Sequence, residues 1–271
     1  MKNNKGDFSS IARIYEKYAK VQSKAAEFLL ELLELKGSED ILDLGCGSGK
    51  LTRKLRSLTT GKVIGVDPSE GMIREAQEKS KGLDIIFKIA FSENIDFKEE
   101  FDIIFCNSAF QWFSDPKKAL KNIYRALRSG GKIGIQAPAK KVYSPNFVKA
   151  VEDAVKNPYI ENIFSHFRSP WFFLESEEEY SSLFKEVGFR ILYSKIITIM
   201  TKYTPDQVFN IFLSGAQAGY LNQNYYDIEL PEDYPKLFLH FIRGAFEKQS
   251  NKDGIIPLKF HRVFLVAEKS D

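Results

Sequence analysis

The sequence has little of what holds a fold together from outside its core. Only two cysteines, Cys46 and Cys106, occur in 271 residues. That excludes a disulfide scaffold, and their apolar, strand-like surroundings predict free thiols in a reducing compartment. The three histidines, His166, His240 and His261, show no ligand spacing with cysteines or carboxylates, so no metal site is expected. No apolar run reaches the roughly 18–20 residues that cross a bilayer, so no membrane span is expected. Met1 to Asp7 are polar and lack the apolar stretch of a signal peptide, so a soluble, cytoplasmic protein is expected. The formal net charge is only +3, with both signs interspersed. The dense basic stripe of a nucleic-acid binder is missing, and no nucleic-acid partner is expected. Internal repeats and low-complexity tracts are also missing.

What the sequence does have is apolar mass. Apolar residues make up 44% of it, including 23 phenylalanines, many of them after residue 140. That suffices for a sizeable core, and the length suits one α/β domain with insertions. Residues 8–35 have helical spacing of Ile11, Ile14, Tyr15 and Tyr18, then Ala25, Phe28, Leu29, Leu32 and Leu33. Strands are predicted at 40–44, 62–66, 84–89, 101–106 and 132–137, the first of them buried and the fourth apolar. Helices are predicted between them at 50–58, 69–79, where Ser69 caps the start, and 116–127 behind Pro116. Such alternation implies a parallel sheet with right-handed crossovers. A helix at 176–187, a strand at 189–198, helical sequence at 204–250 broken at Pro231 and Pro235, and a last strand at 258–268 complete the pattern. The expected fold is therefore α/β, a Rossmann-like seven-stranded sheet, mostly parallel with an antiparallel last strand, carrying helical lid insertions. It is read as a single domain. Its core would span about 36–138, 174–200 and 257–271, with a lid from 1–35, 139–173 and 201–256.

The sharpest motif is Asp43-Leu44-Gly45-Cys46-Gly47-Ser48-Gly49, between the first strand and its helix. Glycines there allow a tight turn and close approach of backbone to a ligand. Asp67 follows at the tip of the second strand, where a carboxylate faces the same crevice and can accept bonds from both ribose hydroxyls. A dinucleotide site would need its third glycine one residue later, where Lys50 stands. A phosphate loop would need Ser or Thr at Leu51 and glycine at Leu44. Asp-x-Gly-x-Gly-x-Gly suits instead a nucleoside bearing an amino-acid tail and no phosphate.

Four segments in order resemble the class I S-adenosylmethionine-dependent methyltransferases: Ile41 to Gly49, Val63 to Asp67, Phe101 to Trp112, and Leu127 to Ala137. The resemblance implies S-adenosyl-L-methionine as cofactor and S-adenosyl-L-homocysteine as product. It implies a cofactor site of Asp43, Gly45, Cys46, Gly47, Gly49, Asp67, Pro68, Met72, Phe91, Ser92 and Asn107. Asp67 would hold the ribose, Pro68 and Met72 would line the adenine, and Asn107 would lie near the methionine part. Relatives commonly carry Gly-Asp-Ala-Glu after the third strand, with the Asp on the adenine amino group. Here the stretch reads Ala90-Phe91-Ser92-Glu93. Stacking with the Ser92 backbone, or Glu93, would have to replace that bond.

Asn107-Ser108-Ala109-Phe110 lacks the prolines of enzymes that methylate exocyclic amines of bases, and Cys106 sits in an apolar strand where a reactive thiolate is not expected. More of the chain resembles the branch containing trans-aconitate and malonyl-[acyl-carrier-protein] O-methyltransferases, through Asn107 to Trp112, the run from Phe8 to Gln22, Gly215, Leu221, and Phe260 to Ala267. Both relatives methylate a free carboxylate, which implies transfer to an oxygen of a small molecule or carrier-bound acid. Such an acceptor needs no general base, only alignment. Tyr15, Tyr18, Gln22, Gln111 and Trp112 are the candidate wall around the methyl group. Arg168, Arg243, Lys259 and Arg262 are candidate cations for the acceptor's charge, with Arg168 and Arg243 read, beside Tyr18 and Trp112, as substrate-binding. C- or N-methylation of a quinone- or lipid-like molecule, or SAM or nucleotide binding without catalysis, stay open, as does monomer or homodimer.

Overall fold

The computed structural model describes residues 25–270, together with the backbone of helical residues 20–24. Helix α1 (Lys20–Leu33) leads into β1 (Ile41–Leu44), α2 (Lys50–Arg56), β2 (Val63–Asp67), α3 (Glu70–Lys79) and β3 (Ile86–Ile89). Then follow β4 (Phe101–Asn107), α4 (Pro116–Ala126), β5 (Leu127–Pro138), α5 (Pro145–Val155), α6 (Pro158–Phe164) and α7 (Glu177–Lys185). The chain closes with β6 (Phe189–Tyr203), α8 (Pro205–Ser214), α9 (Gln217–Tyr220), α10 (Tyr234–Gln249) and β7 (Ile256–Lys269).

The seven strands run in the order β3-β2-β1-β4-β5-β7-β6. Strands β1 to β5 pair in parallel, and β7 lies antiparallel between β5 and β6. Strand order reverses between β1 and β4. That switch point opens a crevice beyond the carboxyl ends of both strands, where ligands of open α/β sheets bind.

Both faces of the central strands are covered, which is why those strands read as apolar runs, whereas the edge strand β3 leaves Ile86 and Ile89 exposed. Ile41, Ile103, Phe105, Phe264 and Val266 bury one face against Ala25, Ala26, Leu29 and Leu33 of α1 and Leu55 of α2. Leu42, Ile104, Cys106, Ile133 and Leu265 bury the other against Leu120 and Ile123 of α4 and Tyr180 and Phe184 of α7. Local signals fix several helix starts. Ser69 Oγ accepts from the Met72 N–H at 3.3 Å, and Thr204 makes a reciprocal capping box with Gln207.

The main departure from the sequence reading is the length of the last strands. β6 was expected to end at Thr198 and β7 to begin at Leu258, but Met200 pairs with Lys259 and Tyr203 with Ile256. β5 leaves the ladder at Pro138, opposite Arg262, so β6 and β7 continue as a two-stranded ribbon. Ile256, Leu258 and Phe260 on that ribbon join a second apolar cluster with Phe147, Phe212, Phe238 and Phe246. β5 also starts earlier than expected. Leu127 pairs with Phe101, and the register breaks before Lys132, where Gly130 turns at φ 72°.

Candidate active site

The crevice is built by three chain segments that turn at the carboxyl ends of β1, β2 and β4. After β1, the N–H groups of Gly45 and Cys46 both donate to the Val66 carbonyl, at 2.7 and 3.0 Å. This ties the glycine turn to β2. The Gly47 N–H donates to Asp67 Oδ2 at 2.9 Å, and the Ser69 N–H to Oδ1 at 2.9 Å. Each carboxylate oxygen of Asp67 thus keeps lone-pair capacity for a further donor.

The three glycines do different work. A Cβ on Gly45 (φ 80°) would stand 2.3 Å from the Ala109 Cβ, so this glycine lets the turn after β4 close against the turn after β1. A Cβ on Gly49 (φ 76°) would crowd Ala76 and Phe87 at 3.0 Å. Only at Gly47 (φ 53°) would a Cβ meet nothing within 4 Å. Gly47 is therefore the one of the three that faces open crevice. The sequence treated the three alike.

Two acidic groups share this corner. Asp43 is buried beneath the turn and accepts from Thr52 Oγ1 at 2.6 Å. Burial, reinforced by the Asp67 charge and opposed by the Thr52 bond, raises its pKa to about 7. Burial also raises Asp67 to about 6, against the two backbone N–H bonds that favour its charge. Cys46 and Cys106 are free and buried, and burial pushes both thiols upward. Neither is a thiolate nucleophile.

Asn107 ends β4, opposite Gln136 of β5. Its Oδ1 is buried and finds no hydrogen-bond partner among the described residues. Ser108 follows in the left-handed region at φ 58°, and its N–H donates to the Gln136 carbonyl at 2.6 Å. Gln111 is buried, and its Nε2 donates to the Ser108 carbonyl at 2.8 Å. Pro68, half-buried, and Met72, buried, follow Asp67 into α3. Phe91 and Ser92 stand at the end of β3, where the Ala90 N–H donates to the Asp67 carbonyl at 3.2 Å. Glu93 is committed elsewhere. Its Oε1 accepts from the Ser114 N–H and Oγ at 2.7 and 2.6 Å, and its Oε2 from Ser92 Oγ at 2.8 Å.

Half-buried Trp112 meets Trp171 edge-on, with ring centroids 5.7 Å apart. Trp171 also contacts Tyr143, Phe173 and Tyr220, so this junction joins the sheet to the second apolar cluster. Tyr15 and Tyr18 lie outside the described residues, and Gln22 falls where only the backbone is described. The cations separate sharply. Arg168 is exposed and pairs with Asp227 at 2.8 Å, and Arg243 is exposed, pairs with Asp206 and stacks over Phe209. Lys259 is exposed. Arg262 is 3% exposed, and its Nη1 donates to Ser108 Oγ at 3.2 Å. The signal for its burial was the inward alternation Leu258, Phe260, Arg262, Phe264, Val266.

Fold and site together define a doubly wound α/β protein in which a glycine turn and a carboxylate meet at the switch point of the sheet. Residues 41–131 match the methyltransferase domain family. The chain is 35% identical to the malonyl-[acyl-carrier protein] O-methyltransferase of Acetivibrio thermocellus over 127 residues, which is 46% of this chain and 45% of that one. The match thus spans less than half the length of that relative. It is 30% identical to the uncharacterized methyltransferase C70.08c of Schizosaccharomyces pombe, covering 72% of this chain and 76% of that one. The YcgJ protein of Bacillus subtilis has a similar fold, with a TM-score of 0.60 at 19% identity, covering 92% of this chain and 99% of that one. The chain belongs to the methyltransferase family.

Proposed function

We propose that the protein transfers the methyl group of S-adenosylmethionine to an oxygen, a carboxylate, of a small or carrier-bound acid. The observation that carries the cofactor half is the pairing of Asp67 with Gly47 beside an open Gly47 Cα and an unpartnered Asn107 Oδ1. A buried acceptor without a donor costs about 1–3 kcal/mol, and an ammonium group supplies the missing donor. The residues fit the cofactor. Asp67 would take the ribose hydroxyls, Asn107 Oδ1 the amino group of the methionine part, and Phe91, Ser92, Pro68 and Met72 the adenine. When bound, S-adenosylmethionine supplies a methyl carbon activated by a positively charged sulfur.

The acceptor half is supported by the relatives named malonyl-[acyl-carrier protein] O-methyltransferase, and by the chemistry around the crevice. A carboxylate is already ionised, so no side chain has to remove a proton, and both buried thiols are held protonated. The task left to the protein is alignment and exclusion of water, and positioning alone can supply up to about 7–11 kcal/mol. Trp112, Trp171 and the helical segments 139–173 and 201–256 act in this reading as the lid that closes over the reacting oxygen.

The test is incubation with S-adenosylmethionine and a panel of carboxylates, quinones and amines, with methyl transfer followed by mass. Methyl esters formed from at least one acid are expected. Failure on every acid would remove the carboxylate assignment, and turnover of a quinone or amine would replace it.

A further inference from the structure

One buried polar group extends beyond the cofactor crevice. Arg262 of β7, Gln136 of β5 and the Ser108 corner after β4 converge on the face of the sheet that α1 covers. Asn107 is opposite Gln136 in the ladder, and Pro138 is opposite Arg262. Arg262 Nη1 donates to Ser108 Oγ at 3.2 Å, and Ser108 Oγ donates to Gln136 Oε1 at 3.1 Å. Gln136 is fully buried, and its Nε2 has no hydrogen-bond partner among the described residues. The corner that Arg262 holds is also the one that abuts the glycine turn, through Ala109 against Gly45. One short turn therefore links the cofactor crevice to a buried guanidinium and a buried amide donor.

We propose that Arg262 and Gln136 form the subsite that takes the carboxylate of the methyl acceptor. The inference deepens the methyl-transfer reading and rests on it. Taking a guanidinium out of water is costly, and sites that do so recur where a planar anion is bound through a fork of donors. The Gln136 Nε2 adds a donor to the same place, and an anion satisfies it where a neutral apolar group cannot. The three other candidate cations are exposed, so Arg262 is the one that distinguishes an acid from its neutral analogue by desolvated charge. Ser108, in the left-handed region without a glycine's freedom, is fixed by this network, which places the subsite relative to Gly45.

The test uses the full chain saturated with S-adenosylhomocysteine and two matched pairs of probes, malonyl- against acetyl-coenzyme A and octanoate against octanamide. Within each pair only one member carries a carboxylate. Calorimetry of the wild type is expected to show a preference of about tenfold or more for the carboxylate in at least one pair. Arg262→Gln should bring that preference near unity with unchanged affinity for S-adenosylhomocysteine. Arg262→Lys should keep part of it. Gln136→Met, which removes the unpartnered Nε2 donor together with the Oε1 that accepts from Ser108 Oγ, should reduce the preference about threefold or more, giving a second reading if Arg262→Gln folds poorly. A wild type with no preference in either pair overturns the subsite. So does an Arg262→Gln or Gln136→Met protein that keeps the full preference. Loss of S-adenosylhomocysteine affinity in step with the preference in both variants would make the network a support of the Ser108 corner only. A wild type that fails to bind S-adenosylhomocysteine would contradict the methyl-transfer reading itself, a distinct outcome.

Discussion

The Asp67 carboxylate accepts the Gly47 N–H at 2.9 Å, joining the tip of β2 to the only glycine of the turn that opens onto the crevice. This bond sets the shape of the cofactor site before any ligand arrives. Charge at this corner follows from burial: it raises the pKa of both Asp67 and Asp43, and the Asp67 charge further opposes ionisation of Asp43.

The first consequence is a pH dependence with opposite signs for stability and binding. Asp43 and Asp67 have folded pKa values of about 7 and about 6, above their ordinary 3.8. The folded state then holds protons that the unfolded state has released, so stability contributed by these groups falls as pH rises from about 4 to about 7. Asp43→Asn should flatten that slope and raise the melting temperature at pH 7.5 relative to wild type. S-adenosylmethionine affinity should instead rise over the same range, with proton release, because ribose hydroxyls and a cationic ligand favour the ionised carboxylates. Calorimetry in buffers of different ionisation enthalpy measures that release.

Gly45 and Gly47 should separate fold from ligand. Gly45→Ala drives a methyl into Ala109 and should cost about 1–3 kcal/mol in denaturant unfolding. Gly47→Ala meets no atom of the described residues within 4 Å and should cost only the roughly 1–2 kcal/mol of a left-handed backbone. Its methyl occupies the crevice, so cofactor affinity should fall by more than the stability does.

Asn107 should behave as a residue kept for its ligand. Its Oδ1 has no hydrogen-bond partner among the described residues, so Asn107→Ala should leave unfolding free energy within about 1 kcal/mol of wild type. S-adenosylhomocysteine binding should weaken by about 1–2 kcal/mol, read by calorimetry.

The junction between the sheet and the second apolar cluster carries both tryptophans of the chain, Trp112 and Trp171. A Cβ on Gly219 would stand 2.1 Å from Trp171 Cζ2. Gly219→Ala should therefore displace the Trp171 ring, cost about 1–3 kcal/mol and shift tryptophan emission. Trp112→Phe should remove most of any emission change caused by acceptor binding.

The parallel core was legible because its strands are short, mostly apolar runs alternating with helical segments, as at Ile41–Leu44 and Phe101–Asn107. The glycine turn and Asp67 were legible as neighbours because turn and carboxylate sit at fixed places in a βαβ unit, and the Gly47 N–H donates to Asp67 Oδ2. Other features were not. In residues 200–203 the apolar Met200 is exposed and the polar Thr201 half-buried, so the side-chain polarity does not follow the two-residue period that marks a strand. The ion pairs of Arg168 and Arg243 were not legible because their partners, Asp227 and Asp206, lie 59 and 37 positions away. Arg262 is flanked by His261 and Val263, and only the two-residue period through Phe260 and Phe264 separates it from its solvent-facing neighbour.

The most direct test of the cradle formed by the glycine turn and Asp67 is a crystal structure of the protein with S-adenosylhomocysteine. The expected result has both ribose hydroxyls about 2.6–3.2 Å from the Asp67 carboxylate oxygens, the Gly47 Cα against the ligand and the amino group on Asn107 Oδ1. Adenosine density elsewhere, or a ribose turned away from Asp67, would contradict it.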